Sequence, residues 1–332
     1  MNGIDILGTG RYLPEKVVTN EDFVSILDTS DEWISTRTGM KERRFADNSE
    51  PAWYMGTIAA GQALESAGIS ASEVDMILVT TVTPDFHTPS TASQIQLKLG
   101  AANAFAFDIS VACSGIAYAF DMARRYLAGD DVKTVLVVNV ERLSQITNYE
   151  DRATCILFGD GAAASVLRAS GKRFSSYLKG DAEGAYLLYA TRPIKKVPFV
   201  DNDIPVREIF PEQEKGCGGV VMGGNDVYKF ATRVMPEAVT KACEKLGIAP
   251  KELDLIIPHQ ANYRIIETAM KKLSLPMEKC HVNIRKYGNT SSASMAIGLD
   301  ECVRGGLIKR GDMVCAVGFG AGLIYGACVF EY

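Results

Sequence analysis

The chain has 332 residues, 47% of them apolar and 23% charged, the balance of a globular protein long enough for one large core or two fused halves without disulfide or metal staples. Its 35 Lys and Arg against 40 Asp and Glu leave a net charge of -5, so the overall field does not attract phosphate backbones and nucleic acid is not an expected partner. A local basic patch acts within one Debye length, about 8 Å in physiological salt, so docking of a small acidic partner stays open.

The opening MNGIDILGTGRYLPEK has no basic stretch followed by an apolar one, and no apolar run approaches the roughly 18 residues of a membrane span. A cytoplasmic protein without membrane contact is expected. Eight cysteines, at 113, 155, 217, 243, 280, 302, 315 and 328, form no C-x-x-C pair, and several sit in apolar runs such as MVCAVG and GACVF. That is the usage of small core residues in a reducing compartment. Three histidines without ligand-like spacing predict no metal site.

In chain order, β-rich runs alternate with helical ones: strand 74–82, helix 93–100, strand 104–110, helix 115–129 and strand 133–140. The second half repeats the series with strand 253–259, helix 261–273, helix 291–306 and strand 312–320. Such alternation predicts α/β units. Corresponding positions are offset almost constantly: Val74 falls on Leu253, Cys113 on Asn289, and Val135 on Met313, at 179, 176 and 178 residues. An internal duplication follows, with two α/β halves around a pseudo-two-fold axis and Cys113 and Asn289 each opening a buried helix near the centre. The expected division is an N-terminal half over 1–170, a connection over 171–222 and a C-terminal half over 223–332. Within the connection, 185–222 is rich in Pro, Gly and charge and reads as a lid-like excursion.

Cys113 stands in DISVACSGIAYAF, where an apolar strand gives way to a small-residue helix. A helix N-terminus stabilises a thiolate, which predicts a lowered thiol pKa and a nucleophile at neutral pH. His259 follows strand LDLIIP, at the end where open α/β sheets bind ligands. Asn289 stands in KYGNTSSAS, just before a helix. A neutral imidazole Nε2–H and an amide NH₂ are both donors, and two donors converging on one oxygen stabilise an enolate or oxyanion. Singly, each also fits a satisfied core histidine or a helix cap; their coincidence at corresponding element ends favours a site. The segment GFGAG (318–322) has exposed backbone N–H groups suited to the same task.

These motifs resemble those of the β-ketoacyl-acyl carrier protein synthase III family of the thiolase superfamily. The likeness runs over nearly the whole chain through TSDEWISTRTGMKERR (29–44), the cysteine segment, DRATCILFGDGAAA (151–164), PHQANYRII (258–266), YGNTSSAS (287–294) and GFGAG. It implies a thiolase-like fold with a layered α-β-α-β-α core, a homodimer, and an acyltransferase that uses acyl-CoA as substrate and needs no cofactor. Cys113 would take the acyl group, and His259 and Asn289 would hold the thioester carbonyl of malonyl-acyl carrier protein while CO₂ leaves. The resulting carbanion would attack the acyl-cysteine, initiating fatty acid synthesis. The backbone N–H groups of Cys113 and Ala321 would form the oxyanion hole, Ala321 replacing the family's more frequent glycine. Phe319 would be the aromatic gate beside the nucleophile.

The same resemblance assigns Trp33, Arg37 and Arg152 to the CoA nucleotide, the indole and a guanidinium sandwiching adenine. Asn262 would order the pantetheine channel. Arg264, Lys271 and Lys272, together with Lys229 and Arg233, would dock the acidic acyl carrier protein; the first three share a face of the predicted helix. In the family the residue before Pro89 is often a Phe that closes the partner's acyl tunnel, and here it is Thr88, which implies a deeper tunnel unless Phe86 fills it. Three rivals fit less well. A papain-like protease has Cys, His and Asn in this chain order but a different cysteine signature. A degradative thiolase would carry a second cysteine where Phe319, Gly320 and Ala321 stand, and an inactive partner subunit would lack Cys113. A relative in specialised metabolism with another acyl donor or acceptor stays open, because 185–222 departs from the compact family pattern.

Overall fold

The computed structural model describes residues 3–191, 198–199 and 219–332. Two mixed sheets share one strand order. In the first, β1 (Gly3–Tyr12), β7 (Asp160–Ser170), β6 (Thr134–Arg142), β4 (Met76–Thr80) and β5 (Phe105–Ile109) lie side by side. The last three are mutually parallel, and β7 and β1 are each antiparallel to the preceding neighbour. In the second, β11 (Leu255–Pro258) is parallel to β12 (Met313–Gly320), followed by antiparallel β13 (Ile324–Glu331) and β8 (Phe174–Gly180). An isolated parallel bridge between Ile256 and Cys280 takes the place that β5 holds in the first sheet. The matching order and direction realise the duplication.

These strands read as continuous apolar runs because both faces are covered. Along β4, Met76 and Leu78 enter the core between the sheets while Ile77 and Val79 enter an outer core. β12 divides alike, Val314 and Ala316 inward against Cys315, Val317 and Phe319 outward, as the period of two requires. The inner layer consists of α5 (Gly115–Leu127) and α9 (Ala293–Arg304), which pack on each other and on both sheets. On α5, Ile116, Ala119, Phe120, Ala123 and Leu127 form the buried helical stripe; truncating Phe120 to Ala costs about 3–5 kcal/mol. Helices α3 (Ala52–Ala67) and α4 (Thr91–Leu99) cover the first sheet outside, and α6 (Gly224–Lys245) and α7 (Tyr263–Lys272) the second. The predicted α-β-α-β-α layering is present.

Strand β8 lies inside the stretch assigned to the connection, so the second sheet draws its edge from residues before 223. The stems of the 185–222 excursion, β9 (Leu188–Thr191) and β10 (Gly219–Met222), pair as an antiparallel ribbon; residues 192–197 and 200–218 of that expectation lie outside the described residues. A further ribbon of β2 (Lys16–Thr19) and β3 (Glu42–Phe45) brackets α1 (Asn20–Val24) and α2 (Asp31–Thr38). α8 (Ile284–Tyr287) leads into the Asn289 segment. No helix among the described residues is long and apolar enough to cross a membrane.

Candidate active site

β5 ends two-thirds of the way through the first half, and a 3₁₀ turn over Ala112–Ser114 delivers Cys113 immediately before α5. The turn presses on β12. A Cβ added to Gly320 would lie 2.6 Å from the Cys113 nitrogen, and one added to Gly318 would lie 2.6 Å from the Cys113 oxygen. Only glycine lets the two backbones approach so closely. The thiol donates to Ser291 Oγ at 3.3 Å. Burial pushes it up to about 12, the Ser291 contact opposes the rise, and the carboxylate of Glu141 adds to it. This direction is opposite to the lowering expected from the helix start.

His259 is 1% exposed and lies in the loop after β11, not within the following helix, which starts at Tyr263 with Asn262 as its cap. Its backbone N–H donates to Val317 O at 2.8 Å, its ring meets Phe319 edge to face at 5.6 Å, and its Nδ1 is 2.7 Å from Ser294 Oγ. Burial pushes the imidazole down to about 3, so it is neutral at physiological pH. The single Ser294 hydroxyl proton also reaches Ser291 O at 2.8 Å; when it turns to Nδ1 instead, the ring proton sits on Nε2. Asn289 accepts the Ser291 N–H on Oδ1 at 2.9 Å, which leaves its NH₂ end to donate. Its backbone is pinned on both sides, Asn289 N to Leu157 O and Gly159 N to Asn289 O, each at 2.9 Å. This anchoring is the local task of the segment around Phe158.

One cavity of about 610 Å³ brings together Cys113, His259, Asn289, Phe319 and Ala321, and it reaches Trp33, Arg37 and Asn262. Its wall includes Leu188 and Met222 from the stems of the excursion. Both predicted guanidinium groups lie over the indole, Arg37 at 4.4 Å and Arg152 at 4.8 Å from the ring centroid. Arg152 also donates to Asp28 O at 2.7 Å. Asn262 caps α7 and donates to Arg37 O at 3.1 Å, which fastens the Trp33 helix to the helix that follows His259.

The basic residues are more committed than a shared open face implies. Arg264 donates from Nε and Nη2 to Thr36 O at the end of α2, and Lys271 pairs with Glu267. Lys272 reaches sideways to Thr232 O on α6, Lys229 pairs with Asp226, and Arg233 with Asp181. Thr88 and Phe86 are exposed, and Thr88 does not line the cavity of its own chain. Among the described cysteines, all but Cys113 are buried and all are unpaired. No cluster of three His, Cys, Asp or Glu among the described residues is placed to hold a metal. Sequence reasoning missed Ser294, Ser291 and Glu141; the signal for Glu141 was an acidic residue closing the strand-like, mostly apolar run VLVVNVE.

A cysteine, a buried imidazole and a carboxamide, set between two duplicated sheets in an apolar cavity, fit a condensing acyltransferase on a thiolase-type fold. Residues 107–183 match the family described as 3-oxoacyl-[acyl-carrier-protein] synthase III, and residues 243–332 match its C-terminal counterpart. A β-ketoacyl-[acyl-carrier-protein] synthase III of Caldanaerobacter subterraneus subsp. tengcongensis is 46% identical over 98% of this chain and 97% of its own length. One from Clostridium acetobutylicum is 43% identical over 100% and 99%. The crystal structure of 3-oxoacyl-[acyl-carrier-protein] synthase III from Aquifex aeolicus superposes with a TM-score of 0.90 at 44% identity, covering 99% of this chain and 100% of that one. The chain belongs to the β-ketoacyl-acyl carrier protein synthase III family.

Proposed function

We propose that this protein transfers the acyl group of an acyl-CoA primer to Cys113 and condenses it with malonyl-acyl carrier protein, giving 3-oxoacyl-acyl carrier protein at the first step of fatty acid synthesis. The observation that carries the reading is the convergence of Cys113, His259 and Asn289 on one cavity whose other end holds Trp33 and Arg37. An arriving adenine displaces one guanidinium from the indole and stacks in its place. The Cys113 sulfur attacks the thioester carbon, and the backbone N–H groups of Cys113 and Ala321 receive the oxyanion. Collapse expels CoA as its thiol.

The malonyl thioester carbonyl then sits between His259 Nε2–H and the Asn289 NH₂. Loss of CO₂ leaves an enolate on that oxygen. A neutral imidazole donates a hydrogen bond without surrendering its proton, so the carbanion survives to attack the acyl-cysteine. The C–S bond to Cys113 breaks, and the departing sulfur takes up one proton from water, which restores the thiol. The reaction draws on no cofactor, since CoA arrives with the substrate, and it proceeds in the cytoplasm in a homodimer. Arg264 and Lys271 supply charge near the Trp33 end of the cavity for an acidic carrier.

Mass spectrometry after incubation with acyl-CoA alone should find the acyl adduct on Cys113, and added malonyl-acyl carrier protein should remove it as 3-oxoacyl product. His259→Ala and Asn289→Ala should retain acylation and lose malonyl decarboxylation. An adduct elsewhere, or turnover by Cys113→Ser, overturns the reading.

A further inference from the structure

Glu141, at the end of β6, is 0% exposed. Its Oε1 accepts from Ser292 Oγ at 2.7 Å and Ser291 Oγ at 3.2 Å. Its Oε2 accepts from Thr83 Oγ1 at 2.7 Å, the Val82 N–H at 3.1 Å and Thr81 Oγ1 at 3.4 Å. Such convergence of donors sustains a carboxylate away from water. Ser291 is the donor among them that also touches the nucleophile, accepting from the Cys113 thiol. Thiol, hydroxyl and carboxylate thus form an unbroken chain of hydrogen bonds. The backbone is strained on both sides of the sulfur–hydroxyl contact, with Ser291 at φ 47° and Ala112 at φ 44°. Non-glycine residues hold such a conformation at a cost of about 1–3 kcal/mol, typically where function requires it.

The thiol has no easy route to lose its proton to water. A thiolate facing ionised Glu141 would place two like charges in one buried site. His259 is a poor acceptor, because burial holds its imidazole down at about 3 and its ring is packed against Phe319. Burial pushes Glu141 upward, against the opposing donors, which makes it the more basic neighbour.

Resting on the reading of Cys113 as the acyl acceptor, we infer that Glu141, acting through the Ser291 hydroxyl, takes the Cys113 proton as the sulfur attacks. The S–H bond breaks as the S–C bond to the acyl carbon forms. Its proton passes to Ser291 Oγ while the Ser291 proton passes to Glu141 Oε1. On collapse the C–S bond to CoA breaks, and the departing sulfur, holding the electron pair, recovers a proton along the same relay. Glu141 ends ionised, and the site carries one negative charge throughout.

The test follows two reactions of Cys113 in the full-length protein from pH 6 to 9: single-turnover acylation by acyl-CoA, and alkylation by iodoacetamide. Glu141→Gln should slow both by about 10²-fold or more at pH 7, and its rate should climb tenfold per pH unit as hydroxide replaces the lost base. Ser291→Ala, which leaves the other donors on the carboxylate, should behave alike, and the double variant should be no slower than the slower single one. Malonyl decarboxylation should stay within about threefold. Without a relay, Glu141 only raises the thiol pKa, so its neutralisation would accelerate both reactions; a Glu141→Gln rate equal to or above wild type at pH 7 therefore overturns the inference. So does an equal loss in decarboxylation, the mark of a structural role. Should Glu141→Gln fail to fold, mixtures of H₂O and D₂O decide with Ser291→Ala: two protons in flight in the wild type and one in the variant support the relay, and one in both overturns it. If acyl-CoA leaves wild-type Cys113 untouched while iodoacetamide shows this pattern, the functional reading fails and the relay stands.

Discussion

Replacing Gly320 by Ala tests the positioning of Cys113, the proposed nucleophile, without altering its side chain. The added Cβ would lie 2.6 Å from the Cys113 nitrogen, 2.8 Å from Ala112 Cβ and 3.2 Å from Cys113 Cβ. Favourable contacts between carbon atoms lie at about 3.5–4.0 Å, so one backbone has to retreat by the order of 1 Å. Neither yields cheaply. Gly320 is held in β12, paired with Ile324, and Ala112 already sits at positive φ. Overpacking of this kind costs about 1–3 kcal/mol, which in a domain of this size lowers Tm by a few degrees. The retreat also moves the Cys113 N–H assigned to the oxyanion, and a misplacement near 1 Å costs about 10²-fold in rate. Single-turnover acylation, followed by mass spectrometry beside a thermal melt, should show a loss of that order with the fold intact. Acylation within about threefold of wild type would refute the argument that the Gly320 approach sets the geometry of the cysteine.

Reversing Arg264 and Lys271 together to Glu should raise KM for malonyl-acyl carrier protein with little change in acylation by acyl-CoA, and added salt should weaken the wild type in the same direction; the opposite pattern reassigns the patch to CoA. Glu301 is half-buried, which raises its pKa, but hydrogen bonds from His281, Asn283 and Tyr287 outweigh desolvation and bring the carboxyl down from its ordinary 4.5 to about 2. A depressed pKa contributes stability above the unfolded value that is lost as pH falls through the folded one, so Glu301→Gln should destabilise by up to about 3 kcal/mol at pH 7 and by progressively less below about pH 4 in urea titrations. A constant deficit across that range contradicts the assignment. Thr88→Phe should shift acyl-CoA preference towards short chains if a second copy presents Thr88 to the tunnel, since each added buried CH₂ contributes about 0.8 kcal/mol, roughly fourfold; a kcat/KM series from acetyl to dodecanoyl with its maximum at acetyl in both proteins rejects the deep tunnel.

What the linear sequence determined was local or periodic. The apolar runs at 74–82 and 133–140 became central strands because their composition leaves no polar face to show to water. The repeated spacing placed Cys113 and Asn289 shortly before α5 and α9, which start at Gly115 and Ala293, and the motifs around them carried the family. Boundaries set by tertiary pairing did not follow: Phe174–Gly180 reads as connection until β13 supplies its partner. Burial was likewise invisible. A helix start argues for a thiolate at Cys113, yet the folded site removes water and sets Glu141 nearby, and both push the thiol upward. The basic residues near α7 read as a free face, while Thr36 and Thr232, brought in from α2 and α6, engage Arg264 and Lys272. The relay from Cys113 through Ser291 to Glu141 spans 178 and 150 residues of chain. Hydrogen bonds act over about 3 Å and carry no trace of sequence distance, so only the closure of one half on the other brings those three groups into line.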